Sequence, residues 1–296
     1  MTTDRGEVAE NDESGVPAFD EGRYLYCIVR ADEDESFETS GVDGEPVSLV
    51  VYDDVAAVVH ACDDIYDSAD LGAIKRWLVR HQLVVDEASD LGTPIPFQFD
   101  TILRGDDEAV REWLREEYGT LDHALSELAS HWEYRVEVVE TDPADLETLR
   151  ERDDQLRELD ERIRDATAGT AHLLEKQAER RAKEVRTARR ESITDDLRRR
   201  LETVVREVHV LDRSPSASLS EEVGGGSGGT DDGETVCRLT LLAHEDREES
   251  VGSILDDVAS SDGIEVRFTG PWPPYTFAPT LGETVEEEKT AGEGDR

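Results

Sequence analysis

The sequence is poor in the residues that many functions need. Methionine occurs only at position 1, and cysteine only at Cys27, Cys62 and Cys237. The three cysteines match no metal or redox spacing, and so sparse and odd a set reads as reduced, buried thiols. No apolar run approaches the ~18–20 residues a spanning helix needs, so no membrane span is expected. Met1 to Gly22 is acidic and has no apolar stretch, so it does not read as a secretory leader. Positive charge is scarce, with 32 Lys+Arg against 73 Asp+Glu and a net charge of −41. That balance argues against nucleic acid as a partner, since such binding needs a positive field. Lysine is limited to Lys75, Lys176, Lys183 and Lys289. Extreme acidity with so little lysine points to a cytoplasm at high salt, where a Debye length of ~3 Å screens the self-repulsion.

Catalytic signatures are missing too. His60, His81, His123, His131, His172, His209 and His244 include no pair at i, i+4 metal spacing with a nearby Glu. They read as surface or packing residues. No nucleophile elbow, kinase set or dinucleotide fingerprint is present. The Gly-rich run Gly224–Gly229 lacks the Gly-Lys-Ser/Thr of a phosphate cradle. Paired carboxylates carry no information in a chain with 73 acids. These absences point to a non-enzyme without cofactor or metal. An enzyme with an inter-domain cleft, or a scaffold self-associating through 145–205, are the alternatives.

What is present is periodic. Residues 1–22 read as a disordered acidic tail. Tyr24 to Val29 reads as a buried strand. Val47–Tyr52 and Val55–Ala61, split by Asp53-Asp54, read as a hairpin. Asp70–Ser89 and Asp106–Ser130 have helical apolar spacing. Thr93–Leu103 reads as one strand entered through prolines, and Trp132–Val139 as a strand closing a first α+β domain over 23–141. From 142 to 207 the sequence reads as a long helical, coiled-coil-like arm. Leu149, Leu156 and Ile163 are spaced by seven, as are Leu159, Ala166 and Leu173. A seam that weakens at Gln177, Arg181 and Glu184, with Gly169 near a break, favours a short hairpin. Residues 208–280 read as a second α+β domain holding a flexible loop at 214–233, and 281–296 as another disordered acidic tail. The expected architecture is two ferredoxin-like α/β sandwich domains with the arm inserted between them.

Three segments stand out. Lys176–Arg206 carries eleven Lys/Arg against six Asp/Glu, including Arg180, Arg181, Arg186, Arg189 and Arg190. It reads either as a solvated helix laced with i, i+4 pairs or as a docking face for acidic partners. Pro94–Leu103 reads as a core strand or as a contact segment displaying Phe97, Phe99 and Thr101. The close of the chain sets Trp272, Tyr275 and Phe277 among Pro273, Pro274 and other prolines. It reads as a strap over the sheet or as a rigid aromatic edge for a protein partner.

YLYCIV at 24–29, DDVAAVV at 53–59, PIPFQFDTIL at 94–103 and above all GPWPPYTF at 270–277 resemble, in order and spacing, the gas vesicle protein L/F family. The composition is similar to versions from salt-loving archaea, and length and the Gly-rich loop favour L over F. The family commonly reads Arg-Phe-Gly-Thr in the third segment. Here Gln98 and Asp100 replace the Arg and Gly, while Phe99 and Thr101 stay in place. The resemblance implies a two-domain α+β accessory protein with a helical arm and no catalytic activity. It implies a cytoplasmic protein associated with gas vesicles, the source of buoyancy. It further implies contacts with the small hydrophobic shell protein and other accessory proteins, as an escort or assembly platform.

Overall fold

A computed structural model of the chain describes residues 19–211 and 233–279. The expected tails, apart from residues 19–22, and nearly all of the expected 214–233 loop lie outside the described residues.

The fold is mixed α+β, built on two antiparallel sheets. The first is centred on β1 (Gly22–Arg30) and β4 (Val55–Cys62), which pair along their whole length. β3 (Pro46–Tyr52) forms the expected hairpin with β4, and the two-residue β2 (Thr39–Ser40) pairs β3. Asp53 turns the hairpin at φ 55°, a left-handed conformation that Asp tolerates better than most residues. Both faces of this sheet are covered, which is why Val55–Val59 is an unbroken apolar run rather than an alternating one. Val55, Ala57 and Val59 pack on the side of α2 (Asp107–Leu128), and Ala56 and Val58 on the side of α1 (Leu71–Ala88). The two helices thus lie on opposite faces. A ferredoxin-like sandwich would place both on one face, so that expectation is corrected here.

A bulge in β1 between Leu25 and Cys27 shifts the phase of the strand. Tyr24, Tyr26, Cys27 and Val29 consequently all pack on the α1 side, leaving Leu25 and Ile28 for α2.

The expected single strand at 93–103 is two short ones, β5 (Ile95–Pro96) and β6 (Ile102–Arg104), both paired to β1. Between them the chain turns at Asp100, whose φ is 65°. This is the position where the family pattern carries Gly, the residue most at ease there. Asp100 takes the conformation and adds a bond, its Oδ1 accepting the Tyr66 N–H at 2.9 Å.

β7 (His131–Glu140) corrects a second expectation. It does not close the first sheet but lies at the centre of the second, in the order β10-β7-β9-β8. Its neighbours are β8 (Glu207–Val210), β9 (Glu234–His244) and β10 (Ile264–Trp272). The boundary expected at 141 therefore falls before His131.

The arm is α3 (Leu146–Arg152), α4 (Asp154–Arg164) and α5 (Ala168–Leu201). Asp153 ends α3 and caps α4 by accepting the Leu156 N–H at 2.9 Å. Leu149 and Leu156 meet Ala178 and Ala182 of α5, so small residues replace the failing heptad seam. Leu173, expected in that seam, is 65% exposed. The far end of α5 leaves the arm and packs Leu197 and Leu201 on the second sheet, beside Val251 and Leu255 of α6 (Glu248–Ala259).

Candidate functional site

Two parallel hydrogen-bond chains cross the α1-side core, built on Tyr24 and Tyr26, which strand alternation places on the same face. In one, the Val42 N–H donates to the Tyr26 hydroxyl at 2.8 Å, and that hydroxyl meets His60 Nδ1 at 2.8 Å. His60 Nε2 reaches the Tyr66 hydroxyl at 2.8 Å. In the other, the Asp100 N–H donates to the Tyr24 hydroxyl at 3.1 Å, which meets His81 Nδ1 at 2.8 Å. His81 Nε2 then lies 3.2 Å from the Phe97 carbonyl oxygen.

Bond direction follows from the donors. Each tyrosine oxygen already accepts a backbone N–H, so its own proton is free to point at Nδ1. Each imidazole is then neutral with its proton on Nε2, satisfying every partner. Burial pushes both histidines down to about 4 and raises Tyr24, Tyr26 and Tyr66 above the ordinary phenol range. Held neutral, these groups brace the core, with Phe99 packed against Tyr24 and His81.

The aromatic-proline close joins the two sheets. β10 reaches Trp272 through a cis Gly270–Pro271 bond and pairs that residue with Glu133 of β7. Pro273 and Pro274 are buried. Tyr275 is half-buried with its hydroxyl enclosed, and Cys27 of the first sheet and Glu133 of the second are among its titratable neighbours. Phe277 packs into the α2-side core, its ring 4.8 Å from His209 of β8. Leu242 of β9 enters the same core, so the interior is continuous between the sheets. The anchor is Glu133, whose carboxylate is fully buried and accepts the Thr276 N–H at 2.7 Å. Arg135 pairs with it at 3.4 Å.

Gly270 makes the approach feasible. Its φ is 131°, and a Cβ there would lie 2.9 Å from the Glu133 carbonyl oxygen and 2.8 Å from the Tyr134 ring. Gly270→Ala is expected to cost about 2–4 kcal/mol, the range for a strained backbone combined with overpacking. Urea denaturation checks this, and an unchanged midpoint would show that the strap adapts.

These positions revise the candidate contact residues. Phe97 packs against the α2-side core near Trp113, Phe99 lies in the Tyr/His cluster, and the Thr101 hydroxyl bonds the Gln98 carbonyl at 2.7 Å. Pro273 and Pro274 are buried, while Phe97, Phe99 and Phe277 pack against the cores and, like Thr101 and Tyr275, stay partly in solvent. Trp272 keeps partial exposure. On the arm, Arg181 pairs with Asp153 at 2.8 Å, Arg186 donates to the Ala144 carbonyl at 2.9 Å, and Arg189 meets Glu140 at 3.0 Å. Arg190 is buried between Glu140 and Glu234. These four arginines bind α5 to the rest of the fold, while Arg180 stays exposed.

Sequence reasoning missed Glu133, His60, His81, Tyr24 and Tyr66. His60 did carry a signal, since it sits in phase with Ala56 and Val58 of β4. Glu133 carried none, because it alternates with Trp132 and Tyr134 as a solvent-facing residue would. Among the described residues no group of His, Cys, Asp and Glu is placed to hold a metal ion, and no helix is long and apolar enough to cross a membrane.

Comparison with known proteins covers nearly all of this architecture. The family model described as gas vesicle synthesis protein GvpL/GvpF matches residues 22–279. Gas vesicle protein L1 of Halobacterium salinarum is 42% identical over 265 residues, spanning 88% of this chain and 92% of the relative. Gas vesicle protein L of Haloferax mediterranei is 37% identical, spanning 88% and 89%. The crystal structure of gas vesicle protein GvpF from Anabaena sp. PCC7120 superposes with a TM-score of 0.69 at 18% identity, over 88% of this chain and all of that one. With the family model matched over residues 22–279 and relatives 37–42% identical over most of their length, this chain belongs to the gas vesicle protein L/F family.

Proposed function

We propose that this protein serves gas vesicle formation as an accessory factor that binds rather than catalyses. The observation carrying the reading is the family match from the first strand through the strap, residues 22–279. Its partners are the major shell protein and other gas vesicle accessory proteins, and it acts as an escort or assembly platform for them. A shell subunit facing gas must be apolar on one side and is an aggregation hazard before assembly. A carrier with net charge −41 would keep such a subunit dispersed. The site of action is the cytoplasm, with the protein associated with vesicles as a minor component. Of the predicted contact set, Arg180 and Arg189 are exposed, and Trp272, Phe97, Phe99, Thr101, Tyr275 and Phe277 keep partial exposure.

Deleting the gene in a vesicle-forming host should abolish floating cells and visible vesicles, and the intact gene should restore both. Cells that float normally without it would end this reading. Pull-down in molar KCl against the shell protein and each accessory protein then separates the partners.

A further inference from the structure

The first half of α1 touches the core through Trp77, whose indole N–H donates to Asp43 at 2.7 Å, and leaves its other flank open. Residues 71–80 include Leu71, Ile74, Trp77, Leu78 and Val79, yet none of the ten is buried, and the buried face starts only at His81. In α2 buried residues run instead from Val110 to Leu128. Leu71 is 73% exposed, Val79 37% and Leu83 44%. With Lys75 between the first two, they form one i, i+4 row along the helix.

Charge sets the same face apart. From Leu71 to Val85 there is no Asp or Glu, in a chain with 73 acids in 296 residues. The stretch carries Lys75, Arg76 and Arg80. Arg80 is engaged, donating to the Thr39 hydroxyl at 2.7 Å and to the Ser40 carbonyl. Arg76 only approaches Asp70 at 3.8 Å, with both side chains in solvent, which holds it weakly. Lys75 is exposed. This is a cationic, apolar ridge on a strongly anionic molecule.

We infer that this ridge docks an amphipathic helix of a partner protein, apolar along one side and acidic on its flanks. The inference rests on the binding role proposed above and names a surface for it. The apolar row supplies affinity that survives molar salt, and Lys75 and Arg76 select acidic flanks over basic ones. A second copy presenting the same face would set Lys75 and Arg76 against their own like, which disfavours self-pairing.

The test uses the full chain in molar KCl and two fluorescent synthetic helices of about five turns. Both carry Leu on one face, one with Glu flanks and the other with Lys flanks. Anisotropy should show the Glu peptide binding about tenfold tighter or more than the Lys peptide. Leu71→Glu with Val79→Glu should weaken it by about tenfold, and Lys75→Glu with Arg76→Glu should reverse the preference. All four side chains lie outside the core, so circular dichroism should stay unchanged, and Arg115→Glu on α2, outside the ridge and the predicted contact set, should have no effect. Equal binding by the wild type and Leu71→Glu/Val79→Glu overturns the proposal. So does tighter binding after removal of 1–18 or 280–296, which would make an acidic segment of this chain the occupant. Conversion of a dimer to a monomer by the same double variant would assign the face to a second copy. None of these outcomes changes the gene-deletion result, so surface and role are tested separately.

Discussion

Dialysed from molar KCl into dilute buffer, the protein should lose its fold, and salt returned promptly should restore it. The net charge of −41 is the cause. Lowering ionic strength from 1 M to 0.01 M lengthens the Debye length from ~3 Å to ~30 Å, so carboxylates across the whole molecule repel one another. The ion pairs cannot offset this. Most are exposed, such as Arg111–Glu108 and Arg115–Glu112, and such pairs contribute at most about 1 kcal/mol each. The arginines with strong partners are already committed inside the fold, as Arg190 is. A loss on the order of the whole net stability of ~5–15 kcal/mol is expected. Far-UV circular dichroism against KCl concentration would follow it. An unfolding midpoint independent of salt would show that charge repulsion is a minor term here.

Acidification in molar KCl should destabilise the protein through His60 and His81. Their folded values near 4 lie below the ordinary 6.5 of the unfolded chain. Between those limits the unfolded state binds more protons, so stability is intact above about pH 6.5 and declines as pH falls toward 4. At about pH 5 the loss is about 2 kcal/mol for each ring. Protonating Nδ1 also collides with the tyrosine proton aimed at it, breaking both chains together. Denaturation midpoints at neutral pH and at pH near 5 would measure the slope. In His60→Asn/His81→Asn, weaker from the start, the slope should largely vanish. If it persists, the carboxylates held low in the fold, Asp54 by the Tyr118 hydroxyl and Asp153 by Arg181, are the groups to follow.

Elements were legible where a periodic apolar pattern met a clear stop. α1 and α2 follow Asp70 and Asp106, whose side chains accept the first free N–H groups of each helix. The β3–β4 hairpin was marked by Asp53-Asp54 between two apolar runs. Assignment of strands to sheets was not legible. β7 alternates as well for one sheet as for the other, and only the long-range register with β9 and β10 decides. The layer order failed for a related reason, since nothing in an isolated helix says which face of a sheet it will cover.

The candidate contacts divide the same way. Aromatic residues and prolines at 94–103 and 270–277 were visible as unusual, but rarity does not say whether a ring faces a partner or the interior. The arginines of α5 were visible as a charge excess. Their acids, Asp153, Glu140 and Glu234, lie far off in sequence and were hidden among the 73 of the chain. The ridge on α1 was hidden by its own regularity. Its apolar spacing is that of any amphipathic helix, and only the packed fold shows that Leu71, Val79 and Leu83 stay in solvent.

The clasp between Glu133 and Thr276 spans 143 positions of chain and is closed by the final described stretch. On the ribosome the second sheet therefore waits. Until translation has passed the Trp-Pro-Pro-Tyr segment, β7 lacks its β10 neighbour and Glu133 has no backbone amide to hold. A nascent chain halted short of that segment would lack this clasp between its halves, so the joint through Glu133 forms only after β10 has been made.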